Sequence, residues 1–138
     1  MQNPVNRNQA LIDEFRANSG KVTGRHERST LLLLTTMGAK TGRSHTTPVG
    51  YMPDGSRFLI FASKGGGPTN PDWYHNLLAN PIATVEVGEE AFMARAVVLN
   101  GEERDRLYAR QVERSPAFDE YELKTKRKIP VVALERIT

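Results

Sequence analysis

The chain has 138 residues, no cysteine, and 19 Lys and Arg against 16 Asp and Glu, a formal net charge of +3. That length suits one domain over residues 1–138 with a core that needs no disulfide staples, residues 1–20 being a helical extension. The missing cysteines exclude thiolate catalysis, Cys-based zinc sites and iron–sulfur clusters, and the small net charge without a basic helix argues against a nucleic-acid partner.

The N-terminus is polar and carries no apolar stretch of the secretory kind, and the longest apolar run, residues 31–34, is too short to span a bilayer. A cytoplasmic protein is expected. Residues 6–18 read as a short helix with Leu11, Ile12 and Phe15 on one face, closed by Ser19 and Gly20. That face is expected to dock on its own domain; a partner, or a peripheral membrane contact, are the other candidates.

Residues 30–36 then read as a buried strand, followed by a loop at 38–42. Strands at 46–52 and 57–63, joined by the turn Pro53-Asp54-Gly55-Ser56, should form a hairpin. A glycine-rich loop after Lys64 runs into a helix over 70–80, with Asn70 as its cap, Pro71 as its first residue and the chain's only tryptophan on it. Strands at 83–87 and 91–99 come next. Asn100, with Glu103 three positions on, reads as a capping box for a helix carrying Leu107, Tyr108, Gln111 and Val112. A break at Ser115 and Pro116 restarts a short helix through Glu122, and a strand over 129–137 ends the chain. About six strands, mostly hairpin-connected, with three or four short helices, imply an α+β fold around a small antiparallel barrel.

Charge is unevenly placed: residues 20–64 hold Lys21, Arg25, Arg28, Lys40, Arg43, Arg57 and Lys64 against Glu27 and Asp54, giving +5, so the remainder is −2. A phosphate or carboxylate ligand suits this segment, and a solvated charged surface explains it as well. Within it, Lys40 with the Thr41 and Gly42 amides, and Lys64 with Gly65 and Gly66, are candidate anion contacts; two ordinary turns with lysines in water are the alternative. Trp73 and Tyr74 could line a flat ring system or pack in the core. Phe61-Ala62-Ser63-Lys64-Gly65 has Phe where a nucleophile elbow requires glycine, and residues 38–42 hold P-loop letters in the wrong order. His26, His45 and His75 are scattered, so no metal site is expected.

The order of short motifs is similar to one known family. Leu33 to Gly42, the Thr-Pro-Val from Thr47, Asp54-Gly55, Ala62 to Gly66, Asn70 to Pro81, Ala94-Arg95, Glu102 to Arg104 and the Ile-Pro-Val-Val from Ile129 resemble the deazaflavin-dependent nitroreductase family, over roughly a hundred residues from about Leu31 onward. The resemblance implies a split β-barrel of about six mostly antiparallel strands that binds coenzyme F420, a deazaflavin with a phosphate and an oligoglutamate tail. It implies that Leu33, Leu34 and Thr35, with Ala39, Lys40, Thr41, Gly42, Arg43 and Ser44, contact the phosphate and tail side. Phe61, Ala62, Ser63 and Lys64, with Asp72, Trp73, Tyr74, His75 and Asn76, would then cradle the deazaflavin, largely through backbone groups. The reduced cofactor would deliver a hydride to a quinone, nitro compound or enone, the protein aligning the reactants, excluding water and stabilising developing charge.

Where relatives place tyrosines over the deazaflavin, this chain offers Gly50, Ser115, Phe118 and Tyr121, which makes these the substrate-side candidates. Ser63 and Tyr121 are the candidates for hydrogen-bonding the substrate or the cofactor carbonyl. Ala39 replaces a basic residue, and His45 stands where arginine is frequent. An FMN-dependent reductase on the same barrel and a noncatalytic F420 carrier are the competing readings, and monomer and homodimer both remain open.

Overall fold

A computed structural model describes residues 4–23 and 30–138, with side chains from residue 8 onward. The elements in chain order are α1 (Pro4–Ala17), β1 (Leu31–Met37), β2 (Ser44–Asp54), β3 (Arg57–Phe61), a 3-10 turn (Lys64–Gly66), α2 (Asp72–Ala79), β4 (Ile82–Val87), β5 (Glu90–Leu99), α3 (Gly101–Arg114), α4 (Ala117–Lys124) and β6 (Val131–Arg136). Arg25, His26, Glu27 and Arg28 lie outside the described residues.

All six strands pair antiparallel and close into a barrel in the order β1-β2-β3-β6-β5-β4. The expected α+β split-barrel architecture is therefore present, and closure leaves the sheet without an open edge. Leu32, Leu34, Val49, Ile60, Val85, Ala94, Val132 and Leu134 fill the interior, and α2 adds Trp73 and Leu77 to that core.

The two strands with unbroken apolar runs are the two whose outer faces are covered by helices. On β1, Leu32 and Leu34 point inward, whereas Leu33 faces out and packs with Ile12, Phe15 and Val22 under α1. On β6, Val132 and Leu134 point inward, while Val131 and Ala133 join Leu59, Phe61, Leu107 and Tyr108 under α3. A strand buried on both faces loses the polar alternation that marks a half-buried one. α1 thus docks on its own barrel, and the apolar residues offered for a membrane or partner contact lie inside. Polar ties at its exposed side reinforce this, with Arg16 bidentate to Glu86 (3.0 and 2.8 Å) and Glu14 accepting from the Thr23 amide (2.7 Å) and hydroxyl (2.9 Å). Among the described residues, no helix is long and apolar enough to cross a membrane.

Two caps differ from expectation. Pro71 takes the N-cap position of α2 in an extended conformation (φ −68°, ψ 157°), so the helix begins at Asp72, and the Asn70 side chain goes elsewhere. Asn100 does occupy the N-cap of α3 but makes no side-chain cap bond, because the next residue is Gly101 at φ 60° and Glu103 turns to Arg57 (3.4 Å). The strands expected at 57–63 and 129–137 are shorter, since Ser63 opens the 3-10 turn and Pro130 lacks an N–H for the ladder.

Three carboxylates are held below the usual range by donors: Glu14 by the Thr23 backbone and hydroxyl, Asp54 by Arg57, and Asp105 by Arg104 and Lys128. A depressed folded-state pKa contributes stability that is present above the unfolded value and lost as pH falls through the folded one. The melting temperature should stay level from neutral pH down to about 5 and fall below about 4, the fall being shallower at high salt because Asp105 is exposed and Glu14 and Asp54 are in part open to solvent.

Candidate functional site

The connection between β1 and β2 is tightly self-bonded. The Gly42 N–H donates to the Gly38 carbonyl (2.9 Å), the Gly38 N–H to the Arg43 carbonyl (2.7 Å) and the Arg43 N–H to Thr41 Oγ1 (3.2 Å). Gly42 closes the loop at φ 69°, a conformation that suits glycine. Its amide is spent on this closure and cannot serve an anion, contrary to expectation. Among the described residues, the N–H groups of Lys40 and Thr41 carry no hydrogen bond, so the loop tip presents these two donors.

Asn76 braces the tip from α2. Its side chain is buried, with Oδ1 accepting from the Ala39 N–H (2.9 Å) and Nδ2 donating to Thr36 Oγ1 (3.0 Å). The result is a cleft of about 740 Å³ walled by residues 38–41 and 44–47, by Asp72, Trp73, His75 and Asn76 of α2, and by Asn8, Gln9 and Ile12 of α1. Lys40 and His45 bring cationic or donor groups to it, and among the described residues Asp72 is the one carboxylate in its lining. Of the candidate cofactor residues, the structure gathers Ala39, Lys40, Thr41, Ser44, Asp72, Trp73, His75 and Asn76 here, with Gly42 and Arg43 exposed beside it.

Others lie elsewhere. Leu33 and Leu34 are fully buried, one under α1 and one in the barrel, and Thr35 is tied to Thr46 through their hydroxyls (2.8 Å). Phe61 packs edge-on to Tyr108 and Phe118, Ala62 is buried in the barrel core, and Tyr74 packs beside it. Lys64 stands away from the cleft: it sits at φ 49° in the 3-10 turn and donates to Thr69 Oγ1 (3.2 Å). The turn is pressed against α4, where a Cβ on Gly66 would meet the Tyr121 Cα and carbonyl oxygen at 3.1 Å; only glycine fits there, at φ 81°. The Gly66 N–H bonds the Ser63 carbonyl (2.9 Å), so this amide too is unavailable as an anion donor.

One residue that carries this loop has no counterpart among the candidates. Arg127, half-buried between α4 and β6, donates to the Ser63 carbonyl (2.8 Å), the Gly67 carbonyl (3.1 Å) and Asn70 Oδ1 (2.5 Å). This bond is where the Asn70 side chain goes instead of capping α2. Burial holds the Arg127 pKa below its ordinary value, and among the described residues no carboxylate pairs with it.

A second cleft, of about 330 Å³, opens at the other end of the β1–β2 pair. Gly50, Ser115 and Phe118 line it together with Tyr51, Gln111 and Arg114. Tyr121 stacks edge-on to Phe118 (5.1 Å) behind it, and its neighbour across the helices, Tyr108, donates its hydroxyl to the Phe118 carbonyl (2.6 Å). Burial pushes the Tyr108 phenol up to about 12, so it stays protonated and keeps this bond. Ser63 is nearly buried, and its hydroxyl has no hydrogen bond among the described residues. β2 joins the two clefts, with Thr47 in the first and Gly50 in the second.

The comparisons with known proteins fit this geometry. The chain is 43% identical over 110 residues to an F420H(2)-dependent quinone reductase of Mycobacterium tuberculosis, covering 76% of this chain and 72% of that protein. A solved F420-H2 dependent reductase superposes with a TM-score of 0.70 at 38% identity, covering 77% of this chain and 94% of the other. A structure described as a domain-swapped dimer does so at 0.73 and 35% identity, covering 95% and 96%. The family described as F420H(2)-dependent quinone reductase matches residues 7–136, and the chain belongs to that family.

Proposed function

We propose that this protein passes a hydride from reduced coenzyme F420 to a quinone, with the large cleft holding the cofactor's anionic tail and the acceptor bound in the smaller cleft in contact with the cofactor's ring. The observation that carries the reading is the β1–β2 loop tip, where Lys40 and Thr41, whose backbone N–H groups carry no hydrogen bond among the described residues, line the 740 Å³ cleft. Such a donor set suits the phosphate and carboxylates of the F420 tail. Bound there, the reduced deazaflavin supplies the hydride.

The chain's own residues bind, orient and protect. Lys40, Thr41 and Ser44 hold the anionic groups, Trp73 and Asn76 shape the wall behind them, and Phe118 and Tyr51 shield the acceptor from water. Tyr121, which packs on Phe118 outside the lining of the smaller cleft, and the nearly buried Ser63 are the donors this reading assigns to charge that develops on the acceptor oxygen. Nitro compounds and enones are further electrophiles for the same site.

Titration of F420 fluorescence against the folded protein tests the cofactor, with FMN as comparator. Binding of F420 at micromolar concentration, and much weaker binding of FMN, which lacks the oligoglutamate tail, is expected; equal affinities would point to an FMN enzyme. Oxidation of reduced F420 by quinones tests turnover, and tight binding without turnover by any acceptor would make the protein a carrier. Tyr121→Phe should lower kcat about tenfold with little change in F420 affinity, the loss of one hydrogen bond to a charged oxygen. Unchanged kcat would remove that hydroxyl from the chemistry.

A further inference from the structure

We propose that Gln111 and Arg114, on the last turn of α3, select the electron acceptor, and that the acceptor is an aromatic compound carrying an acidic substituent and a hydrogen-bond donor. The inference rests on the reading of the smaller cleft as the acceptor site and adds what that site recognises.

Three observations carry it. Gln111 Oε1 is a buried oxygen without a hydrogen-bond partner among the described residues, and Gln111 is one of the residues that line the cleft. Buried carbonyl groups are almost always paired, so one left unpaired beside a cavity marks a place where a donor from outside completes the bonding. Arg114 is exposed and pairs with no carboxylate among the described residues; of the four arginines on α3, Arg104 and Arg110 do pair, Arg106 does not, and Arg114 alone lines the cleft. Finally, the volume of about 330 Å³, with Phe118 and Tyr51 in the lining and no side chain at Gly50, suits one flat bicyclic ring. An aromatic ring against these side chains, an acid at Arg114 and an O–H or N–H at Gln111 would satisfy every feature of the cleft.

The test uses two acceptors, 1,4-naphthoquinone and its 2-sulfonate, and two inert probes, 2-naphthoate and 6-hydroxy-2-naphthoate, the latter by calorimetry on the full chain without cofactor. In the wild type the sulfonate should be preferred in kcat/KM, and Arg114→Met should lower the ratio of the two values about tenfold. Arg106→Met, the same change of net charge on an exposed residue of α3 outside the cleft, should leave that ratio where it was. Gln111→Met should erase any gain in affinity from the probe's hydroxyl and yet raise the melting temperature of the free protein by a few degrees, because it removes an unpaired buried oxygen. A purely structural glutamine would lose stability instead.

Absence of a sulfonate preference in the wild type, or a preference that Arg114→Met does not reduce, overturns the assignment. So does a hydroxyl gain that survives in Gln111→Met. The two levels separate cleanly: Arg114-dependent binding of naphthoate without any oxidation of reduced F420 defeats the reductase reading and keeps the anion-selective cleft. Turnover of the neutral quinone without Arg114-dependent selectivity does the reverse.

Discussion

Arg127→Met should cost about 2–3 kcal/mol of folding stability and weaken F420 binding at least tenfold, the stability figure reflecting three charge-assisted bonds in a half-buried setting. The guanidinium is a planar fork, and here its Nε, Nη1 and Nη2 each reach a different residue of the segment from Ser63 to Asn70. Without it, two carbonyl oxygens and the Asn70 amide lose a common partner. Its own turn bonds, the Lys64–Thr69 bond and packing on α4 hold the loop besides Arg127, and they work against backbone cost: Lys64, Gly65 and Gly66 stand at φ 49°, 62° and 81°, and Lys64 has a side chain that disfavours this region. Relaxation there would free α2, whose N-terminus begins right after Asn70, and α2 forms a wall of the large cleft. Arg127→Lys keeps the charge but offers no fork, so it should recover less than half of the lost stability. Urea unfolding midpoints and F420 fluorescence titrations read both effects. A methionine variant as stable as the wild type would show that the loop holds itself.

This residue also shows where sequence reading stops. Arg127 lies in the run Lys124-Thr125-Lys126-Arg127-Lys128, which has the look of a solvated basic face, and nothing local distinguishes the one cation that turns inward. Its partners are about sixty positions away, and only the fold brings them together. The strands were legible for the opposite reason. Residues 31–34 and 131–134 are apolar without a break because helices cover their outer faces, and hairpin turns such as Asp54-Gly55 carry their own chemistry.

The site was legible in composition but not in assignment of donors. Lys40, Thr41, Trp73 and Asn76 share one cleft. The Gly42 and Gly66 amides did not become anion donors, because tight turns spend these N–H groups on closing themselves, and in the β1–β2 loop the free donors fell to the two residues at its tip. Lys64 likewise turned to Thr69 rather than to the cleft, in a turn that packs on α4 through Gly66. A Gly-rich sequence signals close backbone approach, and it leaves open whether the approaching group is a ligand or another part of the chain.

Asn76→Asp separates the electrostatics of the cleft from its shape. The new carboxylate keeps the acceptor for the Ala39 N–H but loses the donor to Thr36 Oγ1, and it places a charge at a site only 7% exposed. Asp72, one helical turn earlier and in the same cleft, adds like-charge repulsion. Burial and this neighbour both raise the folded-state pKa of the new group above its unfolded value. The folded protein then binds the extra proton more tightly, so the destabilisation of the variant is full above the folded pKa and shrinks as pH falls through it. At neutral pH a loss of about 2–3 kcal/mol is expected, from an unsatisfied hydroxyl partner and a poorly solvated charge. F420 affinity should drop about a hundredfold, since a charge a few ångströms from an anionic tail opposes binding by a few kcal/mol at an effective dielectric near 20. The same deazaflavin without its phosphate and glutamates should lose far less. Asn76→Ala is the control: it removes both bonds without adding charge, so its affinity loss should be smaller and independent of pH. If the two variants weaken F420 equally, the cleft recognises the cofactor by shape alone; if neither weakens it, the β1–β2 loop does not hold the tail, and the proposed division between the two clefts fails with it.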